Sequence, residues 1–280
     1  MNPYPTITRF QALTLAAVIL FGLAILLPAA GLARGWGKAE VCMANLNILG
    51  RGWHAYADDY DGWLVGGSNY TGTPYRWVER PLYNPTDNPE KNPIPSTPEV
   101  TLEYRLNGIR AGKLYPYIQD TQVYHCPADR AWVEGTAPIQ PYRSYAIGGL
   151  MNAEDYTARS GMTIIGYRTV NFPTGTKQLI VAQKQSQIRR PADKFVFVEE
   201  DVWDRSVFGG QYENLGSFIL MAGSNPDSWW DSPALIHPDR GMLGFADGHV
   251  MGKVWTDPRT IDLLLGKSSV LVQPNNADLQ

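Results

Sequence analysis

The sequence lacks the features that identify several common classes of protein. Its 24 Lys and Arg are balanced by 27 Asp and Glu, and the formal net charge of −3 gives no basic surface for nucleic acid. There is no phosphate-binding loop and no dinucleotide-binding glycine pattern. Neither Ser144 nor Ser160 stands in a Gly-x-Ser-x-Gly motif. The sequence therefore predicts a protein that binds no nucleic acid and is not an enzyme.

Cysteine and histidine are also scarce. In an exported protein, a disulfide between the only two cysteines, Cys42 and Cys126, would close a loop of about 85 residues and contribute about 4–5 kcal/mol in the chain-entropy model. We predict this disulfide on condition of export; the alternative is two unrelated buried thiols. His237, Asp247 and His249 could be imagined as metal ligands, but no two-ligand spacing supports this. The preferred interpretation is that His237 bonds to the backbone near a turn.

Two groups of carboxylates invite a functional interpretation. Asp58, Asp59 and Asp61 partly resemble a calcium-binding loop, but no Glu occupies its distal position, and an acidic helix end explains them as well. We predict no cofactor; if calcium binds, these three carboxylates are the first candidates. Glu199 and the two acids after it could suggest a glycosidase pair, for which the preferred alternative is a solvated strand end.

Charge is absent from residues 10–33, a stretch of 24 residues. Since about 20 apolar helical residues cross a bilayer, this stretch predicts a membrane helix. We therefore expect an anchor over residues 1–35 and an extracytoplasmic domain over residues 36–280, in a single-pass membrane protein with most of its chain periplasmic or on the cell surface. The alternative is a signal peptide cleaved after residues 31–33.

A helical pattern continues beyond this stretch. In residues 37–59 apolar side chains recur at steps of mostly three and four, at Val41, Leu46, Leu49, Trp53 and Tyr56. The sequence thus predicts one helix to about residue 59, kinked at Pro28, with an amphipathic second half. Residues 63–113 are rich in Pro, Asn, Thr and Tyr and predict a long loop insertion.

Strand-like segments follow this insertion. Residues 178–183 and 195–199 are short β-branched or aromatic segments bounded by turn residues. Residues 242–246 and 249–254 flank Asp247-Gly248, which predicts a hairpin with a two-residue type I′ turn. In this register Phe245 pairs with Val250, and Leu243 pairs with Gly252. The predicted fold class is α+β, with a long N-terminal helix, part membrane-spanning and part amphipathic, packed on a small antiparallel sheet.

Several phrases resemble bacterial prepilin-type proteins of the type II secretion pseudopilin kind that end in a His-x9-Asp-Gly motif. In chain order the matching phrases are residues 42–50 (CMANLNILG), 56–62 (YADDYDG), 126–129 (CPAD) and 143–145 (RSY), then Arg190-Pro191 leading to Glu199, and finally His237 followed after nine residues by Asp247-Gly248. The family's start, Gly-Phe-Thr-Leu-x-Glu, is missing, because its acidic position falls on Gln11 or Ala17. The sequence therefore gives no support for prepilin-type cleavage.

The resemblance implies a structural role. It implies a membrane-anchored subunit of a type II secretion or type IV pilus-like assembly, or a related cell-surface protein. Its partners would be other copies or other pseudopilins, an inner-membrane assembly platform and the lipid bilayer. Gly22 and Ala24, with Pro28 nearby, would let neighbouring helices approach closely. The alternatives are a membrane-anchored protein that binds carbohydrate or peptide through the aromatic region 63–120, and a tethered hydrolase dependent on Glu199.

Overall fold

The structure, a computed structural model, describes most but not all of the chain. The described residues are 9–68, 75–88, 100–129, 142–152, 168–172, 175–179, 181–200, 216–218, 229, 231–237, 240–265, 267, 268, 270, 273 and 275–278. In this part of the chain lie four α-helices, α1 (Arg9–Asp59), α2 (Leu102–Ala111), α3 (Tyr115–Ile118) and α4 (Pro258–Leu264). The chain forms an α+β fold.

The long helix α1 covers nearly the range that the sequence predicts, but the prediction of a membrane span is wrong. None of the helices in the described residues combines the length and the apolarity that crossing a bilayer requires. The predicted fold class, which included a membrane helix, and the predicted single-pass membrane localisation are corrected accordingly.

The main sheet has five strands in the order β5-β1-β4-β6-β7. The strands are β1 (Tyr145–Gly148), β4 (Phe195–Glu199), β5 (Ser217–Phe218), β6 (Arg240–Phe245) and β7 (Val250–Val254). All neighbours pair antiparallel except β1 and β5, which pair parallel. The sheet is therefore mixed, and the prediction of a purely antiparallel sheet is wrong. A separate antiparallel pair joins β2 (Arg168–Phe172) and β3 (Gly175–Leu179).

Successive side chains of each strand point to opposite faces of the sheet, and this divides the core into two layers. Ile147 and Phe197 face α1 and pack with Leu46, Leu49 and Trp53 of the helix. The opposite face holds a second cluster, made of Ala146, Val198, Phe218, Trp229, Trp255 and Leu264. The second half of α1 is thus a core element, and every apolar position in its predicted stripe except Val41 is buried.

Three predicted local features differ from the structure. The strand predicted at residues 178–183 is shifted, since β3 ends at Leu179. The region predicted as a long loop insertion contains helix α2. The β6–β7 hairpin pairs Gly244 with Val250 and Met242 with Gly252, one residue from the predicted register. Only Gly248 has a positive φ, +93°, in this turn, so a three-residue loop with glycine in the left-handed position replaces the predicted type I′ turn.

Candidate functional site

A cluster of four polar side chains lies in the core between α1 and the sheet. Its members are Cys42, Cys126, Glu199 and His237, and their potential ligand atoms all lie within 4.8 Å of one another. The side chains of Glu199 and His237 are 0% and 2% exposed, and both cysteines are fully buried. Among the described residues, this is the one group of three or more such side chains that could hold a metal ion.

Local structure explains why each member faces the same place. Cys42 precedes Leu46 by four residues, so it lies on the buried face of α1. Glu199 ends β4 and follows Phe197 by two residues, so its side chain points to the same face of the sheet. Cys126 follows a 3₁₀ turn at Thr121–Tyr124, and His237 stands before β6. Four separate chain segments therefore converge.

Short contacts connect the four side chains. The thiol of Cys42 donates to Oε1 of Glu199 at 2.8 Å. Nε2 of His237 lies 3.3 Å from the same Oε1 and 3.6 Å from Sγ of Cys126. Both cysteines are free thiols in this structure, so the structure brings the two residues of the predicted disulfide into one cluster without joining them. The disulfide stays a prediction.

Neighbouring groups fix the orientation of the cluster. The backbone N–H of Met242 donates to Oε2 of Glu199 at 2.8 Å, which leaves Oε1 for the cluster. The hydroxyl of Tyr145 donates to Sγ of Cys42 at 3.1 Å. The backbone N–H of Cys126 donates to Oγ of Ser144 at 3.0 Å. The first two contacts restrict the side chains of Glu199 and Cys42, and the third holds the backbone at Cys126.

The pKa values of Cys42, Cys126 and His237 are shifted by burial and by neighbouring groups. Burial, with the contacts to Cys126 and Glu199, raises the pKa of the Cys42 thiol far above its ordinary value. Hydrogen bonding with Cys42, and to a lesser extent with His237, lowers the pKa of Cys126 to about 7, although burial opposes this. Burial lowers the pKa of His237, but hydrogen bonds with Cys126 and Glu199 outweigh it and raise the pKa to about 10. The titrations of these three groups are therefore linked.

A cysteine, a histidine and a glutamate in contact invite comparison with a catalytic triad. In a triad the acid holds one ring nitrogen of the histidine while the other nitrogen activates the nucleophile. Here Glu199 and Cys126 both approach the same nitrogen, Nε2 of His237. All three side chains are also buried. The contacts of His237 therefore differ from those of a catalytic triad.

The His-x9-Asp-Gly motif is divided between two places. His237 lies in the core cluster, whereas Asp247 and Gly248 form the turn at the far end of β6. Oδ1 of Asp247 accepts from the backbone N–H of His249 at 3.1 Å and contacts its Nδ1 at 2.6 Å. The interval of nine residues therefore spans β6 and its two flanks, and the motif residues do not form one site.

The other predicted site residues lie away from the cluster. Asp58, Asp59 and Asp61 are exposed at the end of α1, where Asp59 accepts from the hydroxyl of Tyr117 at 2.8 Å. In the described ranges they do not form a ligand group, and calcium binding there stays a prediction. Ala24 is exposed, and α1 is helical through Gly22 and Pro28, whose side chains lie outside the described residues.

The proposed aromatic binding region is partly core. Trp77 is fully buried and stacks on Tyr124, while Trp63, Tyr75 and Tyr83 are exposed. The acidic group proposed for a hydrolase is likewise buried at Glu199 and Glu200, and its third member lies outside the described residues. Binding of carbohydrate or peptide through the exposed aromatic side chains, and hydrolysis dependent on Glu199, stay predictions.

The sequence singles out all four cluster residues but relates only Cys42 and Cys126 to each other, as a predicted disulfide. Each stands in a phrase that carries the family resemblance. Their separations, 111 residues between Cys126 and His237 and 157 between Cys42 and Glu199, match no local ligand motif. The one signal in the sequence was that Glu199 ends an otherwise apolar strand, where a buried acid requires a partner.

Comparisons with known proteins do not assign the chain to a family. Neither a protein-family model, nor a curated protein, nor a solved structure matches it, and the resemblance to pseudopilins stays a prediction based on the phrases above.

Proposed function

We propose that this chain is a non-enzymatic structural subunit that associates with further copies of itself through the first part of α1. The observation that carries this proposal is the exposure of every described side chain in residues 11–21. Six of them are large and apolar, with Leu13 71% and Phe21 70% exposed; the others are Leu15, Val18, Ile19 and Leu20. A helix that is apolar on all sides requires partners that enclose it.

The distribution of these six side chains around the helix favours a bundle of several helices rather than docking in a single groove. At about 100° per residue they occupy the whole circumference, with no gap wider than about 100°. One neighbouring surface would cover only part of them. Burying six such side chains contributes roughly 10 kcal/mol before the costs of association.

Identical copies suit this segment because residues 10–33 contain no charge. Packing the same segments together therefore buries no unpaired charge. The second half of α1 is held in the core of its own domain, so it would carry that domain at the outside of the bundle. The burial of all four cluster side chains also supports a structural role.

Sedimentation of the full chain over a range of concentrations tests this proposal. We expect reversible oligomers, and we expect Val18→Glu with Phe21→Glu to shift the chain to monomers. Val41→Glu is the matched control, because Val41 is 48% exposed on the same helix but outside the segment. A wild-type chain that stays monomeric at every concentration, or equal effects of the two variants, would overturn the proposal.

A further inference from the structure

We propose that Cys42, Cys126, Glu199 and His237 form a closed, four-coordinate site for one zinc ion. The donor types fit this metal, since zinc accepts thiolate sulfur, imidazole nitrogen and carboxylate oxygen, almost always in a tetrahedral arrangement. This inference goes beyond the proposed assembly and does not depend on it.

The distances fit a tetrahedral ligand set. With zinc–sulfur bonds of about 2.3 Å and zinc–nitrogen or zinc–oxygen bonds near 2.1 Å, a tetrahedron places sulfur about 3.6 Å from nitrogen and nitrogen about 3.4 Å from oxygen. Cys126 Sγ lies 3.6 Å from His237 Nε2, and that nitrogen lies 3.3 Å from Glu199 Oε1. Two edges of the tetrahedron are therefore already in place.

The third measured edge differs in a way that proton release explains. Cys42 Sγ lies 2.8 Å from Glu199 Oε1, shorter than the roughly 3.6 Å of a sulfur–oxygen edge. This contact is a hydrogen bond donated by the thiol, and zinc binding replaces the thiol proton. The distance between the two atoms then increases by less than 1 Å, which a side-chain rotation at Cys42 can supply.

The charge of the site selects the metal. Two thiolates and one carboxylate carry a total charge of −3, and a divalent cation reduces it to −1 in the core. Calcium and magnesium prefer oxygen-only sites, whereas thiolates prefer zinc and other softer ions. Four protein ligands leave no open position for water or substrate, so the zinc is structural, not catalytic.

The surroundings support the ligands as a metal site requires. Tyr145 donates to the sulfur of Cys42 at 3.1 Å, and Met242 holds the second oxygen of Glu199 at 2.8 Å. Such outer contacts orient ligands and raise metal affinity. The zinc would join α1, the segment after the 3₁₀ turn, β4 and the segment before β6, so it would link four parts of the fold that are distant in sequence.

Metal analysis of the full, reduced chain tests the site. We expect one zinc per chain and release of protons on binding. Cobalt(II) in place of zinc should give the intense visible absorption of a tetrahedral site with thiolate ligands. Cys42→Ser and His237→Gln should abolish the stoichiometric binding. His249→Gln is the matched control, because His249 is an exposed histidine paired with Asp247 outside the cluster.

Three results would overturn the proposal. The first is a reduced wild-type chain that takes up no stoichiometric zinc. The second is equal binding by wild type and His237→Gln. The third is a chain purified without added oxidant in which a disulfide joins Cys42 and Cys126, which would instead confirm the pairing that the sequence predicts. If His237→Gln does not fold, the cobalt spectrum of the wild-type chain decides alone.

Discussion

The carboxylate of Glu199 accepts a hydrogen bond from the thiol of Cys42 at 2.8 Å, across 157 residues of sequence. This contact joins the central strand β4 to the long helix α1 inside the core. The second carboxylate oxygen of Glu199 accepts a hydrogen bond from the backbone N–H of Met242 on the neighbouring strand β6. A single buried side chain thus connects the helix with two strands of the sheet.

Replacing Glu199 with Ala should lower the free energy of unfolding by about 3–5 kcal/mol, because it leaves buried polar partners without an acceptor. Denaturant unfolding in the presence of a chelator measures this effect without any contribution from metal. Glu103→Ala is the control, since Glu103 is an exposed partner of Arg110 and should cost under about 1 kcal/mol. Equal effects of the two variants would refute the role given to Glu199.

Much of the packing between α1 and the sheet was predictable from local pattern. The three- and four-residue spacing of Leu46, Leu49, Trp53 and Tyr56 identifies the buried face of α1, and all four are buried. The segment 195–199 is a strand with the predicted bounds. Both depend on short-range periodicity, which a sequence displays directly.

The core cluster and the sheet's edges were not predictable in this way. Local pattern predicts a disulfide for Cys42 and a solvated strand end for Glu199, because no short-range spacing relates either residue to His237. The parallel pairing of β5 with β1 depends on a chain excursion of about 70 residues, which no short motif encodes. The hairpin register shifted by one residue because a single left-handed glycine, Gly248, suffices for the three-residue turn.

Replacing each of two helical glycines with alanine should change the stability of the chain in opposite directions. A Cβ added at Gly50 in α1 would meet no atom within 4 Å, so Gly50→Ala should stabilise the chain by about 0.5–1 kcal/mol through helix propensity. At Gly108 in α2 a Cβ would lie 2.5 Å from the carbonyl oxygen of Arg80. Because that contact is to backbone, Gly108→Ala should destabilise by about 1–3 kcal/mol. Thermal unfolding compares the two variants, and effects of the same sign would contradict the packing described.

Asp257 should make part of the stability depend on acid pH. It caps α4 by accepting from the backbone N–H of Arg259 at 2.9 Å, and its hydrogen bonds with the Arg259 side chain lower its pKa to about 2. Since the folded pKa lies below the ordinary value of about 3.9, the stabilisation is complete above that value and is lost as pH falls toward 2.

The variant Asp257→Asn isolates this contribution. Its unfolding free energy should fall below that of wild type by about 1 kcal/mol near pH 6, and the difference should shrink between about pH 4 and pH 2. Asp262→Asn is the control, because Asp262 is exposed and lies 3.9 Å from Lys267. A wild-type advantage that stays constant down to pH 2 would show that the Asp257 carboxylate is not the source.

Tyr145 and Tyr124 provide a matched pair for testing the surroundings of the proposed zinc site. Both are fully buried, but Tyr145 donates to the sulfur of Cys42, whereas among the described residues the hydroxyl of Tyr124 has no hydrogen-bond partner. Tyr145→Phe should weaken zinc binding about 10–100-fold while leaving one zinc per chain, because an outer contact of a ligand is lost. Tyr124→Phe should leave affinity unchanged. Competition with a chromophoric chelator measures both, and equal affinities would mean that the Tyr145 hydroxyl does not tune the sulfur of Cys42.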